Sequence, residues 1–292
     1  MTGPVVVGLD GSPASVTAAW WAAREAADRR LPLLLLHSWT TQPLDVPIAQ
    51  EALAKQRYGG QVLRRAEAEL LHRHPGLAVT TELVPEPAAP ALLGLARTAS
   101  LLVLGSRGLG SVTSFLLGSI SLHVLGLTPC PAVTVRAGDP AVETGFGHPA
   151  ADGRDEIVVG VQDIGAGSDT LLEFAFGRAR THGDRVRAVR AVPLAVPPGG
   201  RPARPEDADE EAQRAVLTAA LAAWRTKFPD VPVTEEVVVG SAAQVLLAAS
   251  AHSRLTVVGR HRNPVHHPWK LGPVAHAALH HLPCPVAVVP HD

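Results

Sequence analysis

The sequence repeats itself once, and this repeat constrains the fold more than any other feature. The segment Thr128–Val135, Thr-Pro-Cys-Pro-Ala-Val-Thr-Val, returns 154 positions later as Leu282–Val289, Leu-Pro-Cys-Pro-Val-Ala-Val-Val. Two more pairs share that separation, namely Val79–Val84 with Val233–Val238 and Leu102–Gly105 with Thr256–Gly259. One constant separation indicates two tandem copies of one domain. We predict a first domain over residues 1–137, a linker rich in glycine, proline and charge over 138–155, and a second domain over 156–292.

Within each copy, short apolar runs alternate with segments of helical periodicity. The runs Val5–Leu9 and Leu33–Leu36 flank a helix that Ser12 caps and Pro13 opens. Continuous apolar strands separated by helices are typical of a parallel sheet covered on both faces. We therefore predict an α/β fold of two tandem doubly wound domains, each with a five-stranded parallel sheet. The other elements predicted in the first half are a helix near 48–74, strand Val79–Val84, helix Ala88–Ala99, strand Leu101–Leu104, helix Ile120–Leu127 and strand Ala132–Val135.

A glycine-rich segment follows the fourth predicted strand and ends where a helix begins. Its spacing is Gly105-x2-Gly108-x9-Gly118-Ser119. Glycines let the backbone approach a phosphate, and the N-terminus of a helix attracts anions. The spacing is neither that of a P-loop nor that of the usual dinucleotide motif. It resembles the motif of ATP-binding members of the universal stress protein family; the alternative is a surface loop in which the glycines serve only to turn the chain.

The resemblance implies an adenine-nucleotide alpha-hydrolase-like fold and a set of ligand contacts. In such proteins strand one lies beside strand four, so that Asp10, at the end of strand one, is expected next to Gly105 and would contact ribose or the Mg²⁺ on the phosphates. The alternative for Asp10 is a helix cap in a Gly-Ser turn. The residues that the resemblance assigns to ATP are Asp10, Gly105, Ser106, Arg107, Gly108, Gly110, Gly118, Ser119, Ile120 and Ser121.

The second half departs from this motif while keeping its length. Gly259 and Gly272 are retained, but Arg262 stands where a glycine is expected, and Pro273 replaces the serine and has no N–H to donate. Asp163 is an ambiguous match to Asp10, because the alignment can slip by one residue. We expect a weakened or lost ATP site, the alternative being an altered site with Arg262 on phosphate. Histidines crowd this region, and His276 and His280 have helical metal-ligand spacing, but solvated or capping histidines fit better because no Cys or carboxylate stands at ligand spacing.

Composition narrows the classes of function. The net charge of −1 gives no general attraction to nucleic acid, and no apolar run is long enough to span a membrane. The two cysteines occupy equivalent places in the two copies, which indicates a reduced, cytoplasmic protein rather than a disulfide. From the resemblance we expect an ATP-binding stress-response module that forms a homodimer, with an additional pairing of the two domains within each chain, and that acts on an unidentified regulatory protein. The alternatives are a slow ATPase or related adenine-nucleotide enzyme, and a scaffold that binds no nucleotide; no catalytic residue is predicted.

Overall fold

A computed structural model describes most of the chain. The described residues are 3–40, 49–106, 118–139, 142, 154–162, 165–193, 207–262 and 271–292. Most of the predicted linker 138–155 lies outside them, as do Arg107, Gly108, Gly110 and Asp163. The elements group into two compact units. The first carries the five strands up to Arg136, and the second carries the five strands from Glu156 onwards.

The first unit alternates strands and helices as its sequence predicts. Its elements are β1 (Val5–Gly8), α1 (Pro13–Asp28), β2 (Leu33–Thr40), α2 (Ala49–Arg73), β3 (Val79–Pro87), α3 (Ala88–Leu95), β4 (Leu101–Ser106), α4 (Ser119–Leu127) and β5 (Ala132–Arg136). The strand order is β3-β2-β1-β4-β5, and all pairings in it are parallel. The order reverses between β1 and β4, where Val7 lies opposite Val103. The carboxyl ends of these two strands therefore form the crevice in which doubly wound sheets bind ligands.

The helices cover both faces of this sheet. Helix α1 packs against α2 on one face, and α3 packs against α4 on the other. Strands β1 and β4 are buried along most of their length, which explains their continuous apolar runs. Ser12 caps α1 by accepting a hydrogen bond from the Ser15 backbone N–H at 3.3 Å, and Pro13 occupies the first turn, as predicted.

The largest boundary differences from the sequence prediction in this unit lie at the end of β2 and at the end of α3. Strand β2 continues past its apolar run to Thr40, because β3 supplies backbone partners along that length. Helix α3 ends at Leu95 rather than Ala99, because Arg97 donates to the carbonyl of Gly94, three residues back, in a tightened final turn.

The second unit repeats the pattern. Its elements are β6 (Glu156–Gly160), α5 (Ala166–His182), β7 (Arg185–Val192), α6 (Asp207–Lys227), β8 (Val233–Val239), α7 (Ala242–Ala249), β9 (Leu255–His261), α8 (Pro273–His281) and β10 (Val286–His291). The order β10-β9-β6-β7-β8 is again parallel and corresponds strand for strand to that of the first unit. The predicted fold class, a parallel five-stranded sheet with helices on both faces in each domain, is thus confirmed.

Candidate functional site

Asp10 lies in the turn that joins β1 to α1 in the first unit. Its carboxylate oxygen Oδ1 accepts the backbone N–H of Ser12 at 2.9 Å, and its own N–H donates to Ser15 Oγ at 3.3 Å. The residue is exposed at the carboxyl end of β1. Asp10 therefore shapes the turn before α1, whereas the helix cap itself is Ser12. A carboxylate has further lone pairs with which to meet a ligand.

Gly105 and Ser106 end the neighbouring strand β4 at the same edge of the sheet. The β1–β4 register places the Asp10 turn beside them, as the resemblance implies. A Cβ atom on Gly105 would lie 2.5 Å from the carbonyl carbon of Ala14 and 2.7 Å from the backbone nitrogen of Ser15. The first turn of α1 thus lies directly against β4. Gly105 is required for this helix–strand contact whether or not a phosphate approaches it.

Helix α4 presents an open N-terminus. Gly118 is its N-cap, with φ −62° and ψ 152°, and as a glycine it has no side chain with which to cap the first-turn amides. Ser119 and Ile120 are exposed, Ile120 to 47%, and no atom of the described residues lies within 4 Å of a Cβ built on Gly118. Such an end combines backbone N–H donors with the positive end of the helix dipole. Gly118, Ser119, Ile120 and the half-buried Ser121 are therefore placed as an anion site requires.

His37 is buried beside the site rather than exposed in it. Its Nδ1 lies 2.8 Å from the carbonyl oxygen of Leu9, which can only accept, so this nitrogen carries the proton. Burial lowers the pKa of the imidazole, although the Leu9 hydrogen bond and the charge of Asp10 oppose the shift. The ring packs edge-on against Tyr58 at a centroid distance of 6.1 Å. The His37 ring thus ties β2 to β1 through its hydrogen bond to Leu9.

Tyr58 is a residue that the sequence reasoning missed. It projects from α2 towards the Asp10 turn, so that a Cβ on Gly11 would collide with its hydroxyl group. Gly11 has φ +81°, a conformation that favours glycine in any case. The Gly-Ser pair after Asp10 signals a turn, but no sequence pattern shows that a helix some fifty residues later packs on it.

The equivalent edge of the second unit is occupied by side chains. A Cβ on Gly259 would meet His291 Nε2 at 2.6 Å and Leu171 Cδ2 at 3.3 Å, rather than the backbone of a helix. His291 also contacts the ring of His261, with centroids 4.2 Å apart, and burial lowers the pKa of His291. The imidazole therefore fills the space against β9 that the first turn of α1 fills in the first unit.

Arg262 and the start of α8 also differ from their counterparts. Arg262 Nη1 lies 3.4 Å from Asp292 Oδ2, so the guanidinium already faces a carboxylate of its own unit. Gly272 is an open N-cap, but Pro273 in the first turn removes one amide donor. His276 and His280 stack at 4.3 Å, yet the described residues contain no group of three or more potential metal ligands.

Comparison with known proteins identifies the relatives of this chain. The profile of the universal stress protein family matches residues 1–136 and 153–290. A universal stress protein of Mycolicibacterium smegmatis is 31% identical over 294 residues, covering 98% of this chain and 96% of the relative. The crystal structure of a universal stress protein from Archaeoglobus fulgidus covers 99% of both chains with a TM-score of 0.74 at 18% identity. Another from that organism, in complex with dAMP, covers 47% of this chain with a TM-score of 0.34 at 22% identity.

Proposed function

Because this chain belongs to the universal stress protein family, we propose that it is a nucleotide-dependent regulatory module that holds ATP in its first unit. The observation that carries this proposal is the open N-terminus of α4 at Gly118, at the sheet edge where the strand order reverses. First-turn amides that the N-cap glycine leaves without a side-chain cap, beside a glycine with no described neighbour within 4 Å of its Cβ position, suit the outer phosphates of a nucleotide.

The remaining contacts follow from the same edge of the sheet. The exposed carboxylate of Asp10 would hold the ribose hydroxyls or the Mg²⁺ that ATP carries. The backbone at Gly105 and Ser106 would meet the ribose and inner phosphate. Arg107, Gly108 and Gly110 belong to the proposed site through the sequence motif and lie outside the described residues.

We propose that the second unit binds ATP more weakly or not at all. Three features support this: the His291 ring over Gly259, the ion pair between Arg262 and Asp292, and the proline in the first turn of α8. The alternative, with Arg262 on phosphate, would have to break that ion pair first.

In this proposal ATP acts by changing the conformation of the protein when it binds, and not by supplying energy through its hydrolysis. A ligand shifts a protein towards the state that it binds better, and this allows a binding protein to signal to a partner without catalysis. Slow hydrolysis is the competing proposal, and a steady-state assay separates the two: turnover at the usual enzyme rates of about 1–10³ per second would make the protein an ATPase.

The cysteines bear on the compartment in which we propose that the protein works. Cys130 and Cys284 are buried free thiols, which suits a reducing, cytoplasmic compartment. Among the helices in the described part of the chain, none has the length and apolar character needed to cross a bilayer.

We propose that the chains pair as homodimers through their apolar final strands. Light scattering at micromolar concentration tests this pairing, since a mass of 30.5 kDa would show a monomer.

The test of nucleotide binding starts from the purified protein. Denaturing freshly purified full-length chain should release ATP, identified by ion-exchange chromatography, at up to one molecule per chain. The Asp10→Ala variant should release less, while Asp169→Ala, an exposed carboxylate in the first turn of α5, serves as the control. Protein that neither carries nor takes up adenine nucleotide would refute the proposal.

A further inference from the structure

Helices α1 and α2 of the first unit enclose a cavity that the nucleotide proposal does not use. Its volume is about 670 Å³, within the range of about 300–1,000 Å³ typical of small-molecule sites. It begins at Leu9 and Gly11 and runs along the groove between the two helices. The remaining lining residues are Pro13, Val16, Thr17, Ala19, Trp20, Tyr58, Gln61, Val62, Arg65, Ala66, Glu69 and Leu70.

The walls of the cavity are aromatic and aliphatic. Trp20 and Tyr58 line it from opposite helices, and Val16, Val62 and Leu70 supply aliphatic surface. Tyr58 is 52% exposed, whereas Leu70 is buried at 1%, so the lining reaches from the surface into the core. The guanidinium carbon of Arg73 lies 4.5 Å from the centroid of the Trp20 ring. A flat apolar group therefore has ring surface and aliphatic contacts available to it.

One cation on the cavity wall has no partner within the described part of the chain. The carboxylate of Glu69 also lines the cavity, but it is paired with Arg73, whose Nη2 lies 2.9 Å from Glu69 Oε1. Arg65, one turn earlier on α2, is exposed and forms no ion pair among the described residues. A carboxylate is the natural partner of a guanidinium, because the two groups form parallel charge-assisted hydrogen bonds.

From these observations we infer that the first unit binds one small aromatic carboxylate between α1 and α2. The ring lies among Trp20, Val62 and Leu70, and the carboxylate faces Arg65. Because Arg73 pairs with Glu69, Arg65 is left as the lining cation with no ion pair among the described residues. None of the lining residues is one proposed to hold ATP, although Leu9 and Gly11 flank Asp10, and the occupancy of this site does not depend on the nucleotide proposal.

Titration calorimetry with a matched pair of probes tests the inference on the full-length, nucleotide-free protein. The probes are 2-naphthoate and 2-naphthol, which share a ring system and differ in charge at pH 7. We expect one naphthoate per chain, bound about tenfold more tightly than naphthol, because only the carboxylate pairs with Arg65. Equal affinities, or no binding of either probe at millimolar concentration, would overturn the inference.

Three variants locate the binding. Arg65→Gln should abolish the preference for naphthoate, and Arg97→Gln, an exposed cation after α3 and away from the cavity, should preserve it. Ala66→Phe should weaken both probes by filling the cavity, with circular dichroism to show that α2 stays folded. An unchanged preference in Arg65→Gln would contradict the assignment. Saturating ATP should leave naphthoate binding unaltered, and competitive displacement would place the probe in the nucleotide crevice and overturn a separate site.

Discussion

Replacing Gly105 with alanine would drive a Cβ atom into the backbone of helix α1. The new carbon would lie 2.5 Å from the Ala14 carbonyl carbon, and ordinary van der Waals contact begins at 3.4 Å. Helix α1 or strand β4 must therefore move by nearly an ångström, because neither colliding atom belongs to a flexible side chain. Overpacking of this kind costs about 1–3 kcal/mol of folding free energy.

Gly94 is the matched control for this substitution. It lies in α3 of the same unit, and nothing lies within 4 Å of a Cβ built on it. Alanine restricts the unfolded chain equally at both positions, a gain of about 0.4–1 kcal/mol. The difference between the two variants therefore isolates the strain at Gly105.

Thermal unfolding of the full-length protein, without nucleotide, measures that difference. Gly94→Ala should raise the Tm and Gly105→Ala should lower it, by about 2–4 °C for each kcal/mol in a protein of this size class. Equal shifts in the two variants would refute the close approach of α1 to β4, and would leave phosphate contact as the reason for a glycine at 105.

Three further predictions follow from the first unit. Asp10→Asn should keep the Ser12 hydrogen bond and the stability within about 0.5 kcal/mol while weakening Mg²⁺–ATP in calorimetry; unchanged affinity would leave Asp10 as a turn residue only. The free energy of unfolding should fall as the pH drops through the ordinary His range near 6.5, because the unfolded chain takes up a proton that buried His37 resists. Denaturation measured at a series of pH values should show a weaker dependence of that free energy on pH in His37→Gln, and an equal dependence would exclude this cause. ATP should slow hydrogen exchange at the amides of Ser119–Ser121, which the N-cap glycine leaves without a side-chain cap, and unchanged exchange would argue against phosphate at α4.

The sheet and its order were accessible from the sequence because their signals are local or repetitive. A continuous apolar run predicts a buried strand, and Ser12 followed by Pro13 predicts the start of a helix. The constant separation of the two copies predicts a repeated domain. The family resemblance added the placement of β1 beside β4, which the pairing of Val7 with Val103 bears out.

The contacts that shape each crevice could not be predicted from local or repeated sequence patterns. The packing of α1 on Gly105 and of Tyr58 over Gly11 depends on side chains and helices brought together by the tertiary fold. The repeat did hold one unused signal: His291 stands where the first copy has Ala137, so a large side chain replaces a small one after the final strand. That exchange accounts for the ring over Gly259 in the second unit.

The central claim is that ATP binds at the open end of α4 in the first unit and not at its counterpart in the second. The two N-caps, Gly118 and Gly272, are equivalent, and neither has an atom of the described residues within 4 Å of its Cβ position, so the same substitution can be made at each. Aspartate is a good N-cap, which keeps the helix intact while placing a carboxylate where phosphate would lie. Calorimetric titration of nucleotide-free protein with ATP should give one site per chain in the wild type and in Gly272→Asp, and a strongly weakened site in Gly118→Asp. Two equivalent sites per chain, or full affinity in Gly118→Asp, would contradict the account.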